Sequence, residues 1–502
     1  MEPCLERHAR QAEPAVDRGV NDPREEEITV TESYRAIAAD DRDGRIMGHR
    51  VIGRLMALAL SAMLLLAACS PGAPSNAPAS DATVSDAPAT PAASGSETAC
   101  GSSVPSDITA EIRFLTGPFS DEEQAAQEAI AAKFNEKFPN VTFTFELFDW
   151  YTSRTSVQTS LAEGAHDIYY MGEGDVVFYS ADDTALLDIG PYTDDPCYAE
   201  ERAQINGIDR ILGMSPYPVA VPYLWFPENA LYVNMDKVRE AGLDSTFLEN
   251  WQSFADAAVA MSDPAAGEYG IGLSLHNYVE WYGRLKSAGA DWVTADGSAP
   301  GVDTPEAIQV TKDMVDLFTR KAAAPLGTYD YTTGIDAFAG GKLGMVGYDA
   351  SVAGALTRNE VPFEWELHAW PPGPQSRATV LNTSSFAIGK KTPNPDLAWE
   401  VLKHWTSAEV NAEYAGKYGY FPSHQGALEG ELGATFESLI PPQMTAARDE
   451  LIEHGVYMLE IPEAPDMNAR ATPQIERAYA GEISAEEAIQ NIVSIVNEVM
   501  GF

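Results

Sequence analysis

The chain has 502 residues, with 75 Asp+Glu against 32 Lys+Arg and a formal net charge of −43. Hydrophobic residues make up 45%, which excludes disorder of the whole chain, and so negative a charge argues against a nucleic-acid partner because phosphate would be repelled. Cysteines stand only at positions 4, 69, 100 and 197, which excludes a disulfide-dense scaffold and matches no zinc-ligand spacing.

Residues 1–46 are polar, without apolar periodicity, and lie in front of an export signal. A signal peptide begins near its own start, so translation is expected to begin at Met47 or Met56 and 1–46 to be an over-extended reading frame; a cytoplasmic tail before a signal anchor is the alternative. Residues 55–66 form a 12-residue apolar run interrupted only by Ser61, shorter than the roughly 20 residues a membrane span needs. Arg50 and Arg54 precede it and small residues follow, which makes 47–68 a signal peptide. The run ends Leu66-Ala67-Ala68-Cys69, which resembles a bacterial lipobox. That resemblance implies cleavage before Cys69 and lipid on it, holding the mature chain outside the cytoplasm, in a periplasm or on the outer face of the membrane. A plain secretory signal with an incidental cysteine is the other reading. Residues 69–106 are nearly all Ala, Pro, Ser, Thr, Gly and Asp, too poor in apolar surface to offset chain entropy, and read as a disordered tether.

The folded part begins near Asp107. Residues 108–115 read as a strand, Ser120 to Glu123 as a capping box, and Ala126, Ile130, Phe134 and Phe138 as the buried stripe of a helix ended by Pro139. Val141, Phe143, Phe145 and Leu147 alternate as a second strand, so the chain opens with the strand–helix–strand unit of a parallel sheet. Asp167 to Met171 is a third short apolar run. Thr304-Pro305-Glu306 opens a helix to about Lys321, and Asn394-Pro395 opens another with Ala398, Val401, Leu402 and Trp405 on one face. Residues 343–348 and 380–388 are strand candidates, and Ser484 caps a last helix striped by Ile489, Ile492, Val493, Val496 and Val499. The pattern is α/β with more than one lobe.

Eight segments, in order, resemble the bacterial extracellular solute-binding proteins of family 1, the substrate-capturing subunits of ABC importers, mostly for carbohydrates. They are Ala131 to Val141 followed by Trp150-Tyr151, Leu161 to Ile168, Leu231 to Lys237 with Glu240 to Leu243, Trp251 to Phe254, Phe338 to Met345, Ala398 to Lys403, Thr406 to Glu409, and Gly419 to Pro422. The resemblance implies a two-lobed periplasmic-binding-protein-like fold of type II with a hinge and a ligand cleft. It divides the chain into lobe 1 at 107–221 and 345–388 and lobe 2 at 222–344 and 389–502, with crossings near Tyr223 and Gly344–Tyr348. His166 and Tyr348 depart from the family's usual Pro and Trp, which weakens a sugar assignment.

A sugar offers hydroxyls around an apolar face, so its site needs aromatic plates with carboxylates or amides. Where the family carries its ligands, the candidates are Trp150, Tyr151, Glu173, Asp175, Trp225, Glu228, Trp281, Tyr282, Tyr348, Asp349, Asn382 and Tyr420, together with the loop Thr116 to Phe119. Trp281 is the leading aromatic. Each has a bland alternative: core packing for the rings and solvated turns for the acids. In an oxidising compartment Cys100 and Cys197 can pair, with two free thiols as the alternative.

The expected function is capture of a saccharide by a monomer and its delivery to an ABC permease, with no cofactor, metal or catalysis. The rivals are a secreted glycoside-acting enzyme, a binder of a polyamine-like ligand, and a surface sensor. Neither Gly-x-Ser-x-Gly, His-Glu-x-x-His nor a Walker loop occurs in the sequence.

Overall fold

The computed structural model describes residues 101–117, 121–148, 153–273, 278–329 and 331–502, all within one compact unit, Glu97–Phe502. The signal peptide, Cys69, Cys100, most of the tether, Trp150 and Tyr151 lie outside the described residues. No helix among those described is long and apolar enough to cross a membrane.

In chain order the strands are β1 (Ala110–Thr116), β2 (Val141–Leu147), β3 (Ile168–Met171), β4 (Ala220–Pro227), β5 (Ala230–Asn234), β6 (Tyr269–Gly272), β7 (Leu343–Tyr348), β8 (Trp365–His368), β9 (Thr379–Ile388), β10 (Phe421–Pro422) and β11 (Gly455–Tyr457). The helices that matter below are α1 (Asp121–Asn135), α2 (Ser153–Glu163), α3 (Glu173–Ser180), α4 (Ile208–Gly213), α5 (Trp251–Ala260), α6 (Tyr278–Ser287), α7 (Pro305–Thr319), α8 (Tyr331–Ala339), α9 (Val352–Arg358), α10 (Pro395–Trp405), α11 (Ala408–Tyr418), α12 (Ala464–Tyr479) and α13 (Ala485–Met500).

The first sheet runs β10-β4-β9-β3-β1-β2, with β11 also on β9. The expected opening unit is present: β1 pairs in parallel with β2 and β3 through the crossover α1. Helix α1 ends at Asn135, ahead of the expected Pro139, and Phe138 in the following turn stacks on Phe134 at 4.9 Å; Phe114 of β1 lies 5.0 Å from Trp405 of α10. Asp167 ties the sheet together. Its carboxylate accepts from the Arg113 guanidinium and main-chain nitrogen and from the Thr392 hydroxyl at 2.8–3.1 Å, joining β1, β3 and the segment after β9.

The second sheet runs β6-β7-β5-β8. Strand alternation sends Leu231, Val233 and Met345 into one core with Phe254, Met314 and Ile492. It sends Tyr232 and Val346 to the other face, where Tyr232 meets Phe338 and Trp365. Helices α7 and α13 start where their caps predict: Thr304 Oγ1 accepts from the Ala307 N–H and Ser484 Oγ from the Glu487 N–H, both at 3.1 Å. The sheets divide the chain differently from the lobe limits read off the resemblance. Strand β7 lies wholly in the second sheet, while α10, α11 and β11 lie with the first.

The chain passes between the sheets at 228–229, at 369–378 and at 458–463. At the first passage, the Glu228 N–H donates to the Val380 carbonyl at 2.7 Å and Asn229 Oδ1 accepts from the Val380 N–H at 2.8 Å. Helix α6 rests directly on this junction. A Cβ on Gly283 would stand 2.5 Å from Asn229 Nδ2, so a larger residue there would have to displace the Asn229 amide.

Candidate functional site

Strands β1, β2, β3 and β4 all point their carboxyl ends the same way, and β9, antiparallel to β3 and β4, begins at that end. Phe226 of β4 sits opposite Asn382 of β9. In open α/β sheets ligands bind outside the carboxyl ends of strands, because loops and helix N-termini converge there. Glu173, Asp175, Glu228, Asn382 and Trp225 are all at this edge.

Gly172 turns β3 directly into α3, placing two acids in the first helical turn, where the helix dipole favours them. Glu173 is 1% exposed and takes both terminal nitrogens of Arg210 from α4, Nη1 at 2.7 Å. Arg210 Nη2 also donates to Thr383 Oγ1, and its guanidinium covers the Tyr457 ring at 3.7 Å. Asp175 is 3.7 Å from Arg154 of α2, and burial raises its pKa despite that neighbour. Asn382 Nδ2 donates to Glu228, whose carboxyl is pushed up to about 7, first by burial and then by the charges of Asp349 and Glu173. Glu460, on the third passage, packs on the start of α3; a Cβ on Gly174 would lie 2.9 Å from its Oε2. Burial and the charges of Glu173, Glu228 and Asp175 push it up to about 8.

The aromatic wall comes from the first sheet and from helix α6. Trp225 is half-buried, stacks on Phe421 at 4.5 Å and donates its Nε1 hydrogen to the Pro422 carbonyl. Phe226 meets Tyr420 edge-on at 5.7 Å, and Tyr420 lies parallel to Tyr414 at 6.3 Å. Tyr170 is half-buried and bonds Ser384. From α6, half-buried Tyr278 faces the same group: burial and the charges of Glu228 and Glu460 raise its phenol.

Three expected ligand residues are placed elsewhere. Trp281 is 0% exposed, its Nε1 donates to Thr311 Oγ1 at 3.0 Å, and it packs on Trp292 at 5.4 Å in the second core. Tyr282 is equally buried; it stacks on Trp292 and its hydroxyl donates to Asp291 at 2.8 Å. Both face inward because α6 turns them away from the junction that Gly283 contacts. Tyr348 is 2% exposed and its hydroxyl packs against Gly334 of α8. Asp349, nearly buried, accepts from the Ser351 N–H at 2.9 Å and from the Ser351 hydroxyl. Its charge reaches Glu228, Tyr170 and Tyr420.

Sequence reasoning missed Arg154, Tyr170, Arg210, Tyr278, Tyr457 and Glu460. Arg210 was findable: it interrupts Ile208, Ile211 and Leu212, all buried, so a charge there needs a partner. Glu460 carries no such signal, because its place depends on the distant pairing of β11 with β9.

The model of the bacterial extracellular solute-binding protein family matches residues 117–412. The chain belongs to that family. Among curated solute-binding relatives, it is 24% identical over 322 residues to a putative ABC transporter periplasmic-binding protein, YcjN, of Escherichia coli K12, covering 60% of this chain and 70% of that one. The solute-binding fold recurs in solved structures. An ABC substrate-binding protein of Listeria monocytogenes, in complex with cycloalternan, superposes with TM-score 0.70 at 16% identity, covering 79% of this chain and 100% of that one. Maltose-bound MalE3 of T. maritima gives 0.68 at 18%, covering 78% and 100%. The α/β fold is therefore that of the two-lobed periplasmic binding proteins. His166, in place of the family's usual proline, is bonded by Ser160 at 2.6 Å and lies 3.1 Å from Glu146.

Cys197 is disulfide-bonded, and its partner lies outside the described residues. No group of three or more metal-ligating side chains occurs among the described residues.

Proposed function

We propose that this solute-binding protein captures a saccharide in the cleft between its two sheets and passes it to the permease of an ABC importer without chemical change. The carrying observation is the edge where the carboxyl ends of β3 and β4 bring half-buried Tyr170, Trp225 and Phe226 beside Glu228 and Asn382. Aromatic faces suit the apolar side of a sugar ring, and carboxylate and amide groups suit its hydroxyls. Cycloalternan and maltose in the two similar structures favour this ligand class. Lobe 1 is taken as the first sheet with its helices, 107–227 and 379–457, and lobe 2 as 230–368 and 464–502. Lipid on Cys69 would hold the protein at the membrane, and a monomer suffices.

Ligand that contacts both lobes favours whichever lobe arrangement it binds better. A thermal-shift screen against neutral mono- and oligosaccharides tests the reading. A ligand at 100 times its Kd adds about 2.7 kcal/mol of stability and raises Tm. A clear rise, with the sugar recovered intact by chromatography, is the expected result. A flat screen or a sugar product would overturn it.

A further inference from the structure

We propose that the saccharide bound in this cleft carries a positive charge, as an amino sugar does. The inference rests on the reading of the cleft as the ligand site and adds the charge of the ligand. Four carboxyl groups meet there: Glu173, Asp175, Glu228 and Glu460. Only two cations accompany them among the described residues, and each is committed. Arg210 is held by Glu173, and Arg154 lies beside Asp175. Neither Glu228 nor Glu460 forms an ion pair among the described residues, although the charge of Arg210, already held by Glu173, also reaches Glu460. Asn382 donates to Glu228 but brings no charge.

A second observation lies beneath the cluster. Glu280 of α6 is 4% exposed, and its Oε2 has no hydrogen-bond partner among the described residues. It is near enough to Glu228 for that charge to act on it. Thr116 Oγ1, at the carboxyl end of β1, is likewise buried without a partner. Acids that outnumber their counter-charges are costly to keep close together, and a cation arriving from solution relieves that cost. The raised carboxyl groups of Glu228, Glu280 and Glu460 agree with this. The half-buried faces of Tyr170, Tyr278, Trp225 and Tyr420 suit an ammonium group, which is attracted to the negative face of an aromatic ring. A neutral sugar would leave the acids unrelieved, and a phosphorylated one would meet like charge.

The test is isothermal titration of the protein with two disaccharides of one shape, cellobiose and its amine counterpart, the β-1,4-linked dimer of glucosamine. The dimer is expected to bind at least about tenfold more tightly, a difference of about 1.4 kcal/mol. That ratio is expected to shrink in Glu460→Gln and in Glu228→Gln, and to shrink as salt rises and screens the charges. Cellobiose binding as tightly as the dimer, or a ratio untouched by both variants, would overturn the positive charge and leave saccharide capture standing. If neither disaccharide, nor maltose, nor tagatose binds a protein that melts cooperatively, saccharide capture falls and the charge inference with it.

Discussion

Glu173 and Arg210 lie 37 residues apart in sequence and meet in a two-pronged ion pair at the carboxyl end of β3. The acid is buried and the guanidinium is half-buried, so the pair fixes the start of α3 against α4 at the mouth of the cleft. Removing one partner of such a pair leaves a stranded charge, which is far costlier than the pair's own net worth. Arg210→Met is therefore expected to lower unfolding free energy by about 2–4 kcal/mol, read by urea denaturation. A loss under about 0.5 kcal/mol, no more than a surface ion pair contributes, would show that water reaches Glu173.

Trp281 is a core residue here, and its substitution separates stability from binding. Trp281→Ala removes a fully buried ring and its hydrogen bond to Thr311, so a loss of about 3–5 kcal/mol is expected. Trp281→Phe keeps most of the volume and is expected to leave saccharide affinity within about twofold (under 0.5 kcal/mol) while lowering Tm. Affinity lost in proportion to ring removal would put Trp281 in the cleft.

The contrast with Trp225 explains what sequence could read. Helix and strand starts were legible because caps and alternation are local: Thr304, Ser484 and the β1–α1–β2 unit stand where expected. Glu173, Asp175, Glu228 and Asn382 stand at the carboxyl edge of the first sheet, a place that strand ends read from local sequence already indicate. Trp281 and Tyr282 were misplaced because a turn-rich neighbourhood conceals which face of a helix looks inward. That face is set by Gly283 lying on Asn229, a contact 54 residues long in sequence. Glu460 and Tyr457 were invisible for the same reason, being delivered by a strand added to β9 late in the chain.

Trp225 approaches the cleft from β4 and Tyr278 from α6, so each should matter to ligand and little to folding. Tyr278→Ala is expected to weaken saccharide binding by about 1 kcal/mol, roughly fivefold, through loss of one ring face. Titration calorimetry reads this directly. Unchanged affinity in both Tyr278→Ala and Trp225→Ala would remove the aromatic wall from the site.

Glu228, Glu280 and Glu460 also set a pH dependence. Their carboxyl groups are raised to about 7, 8 and 8 in the folded protein, first by burial in each case. A raised acid binds its proton more tightly folded than unfolded. Its favourable contribution is therefore complete below the ordinary carboxylate range and is lost as pH rises through the folded value. Asp182, Asp244, Asp256 and Glu268 are lowered instead, so what they contribute is lost on acidification, outside this window. His404, held below its ordinary value by burial, opposes the trend only on the acid side of neutrality. Ligand-free Tm is thus expected to fall from about pH 6.5 to about pH 8 and to level off above that. Glu280→Gln, which removes the most buried of the three acids, is expected to flatten that fall and to stabilise the protein by about 1–3 kcal/mol at the alkaline end. A Tm that stays level or rises across this range would mean that these acids ionise freely in the folded protein, and that the cleft is wetter than its packing implies.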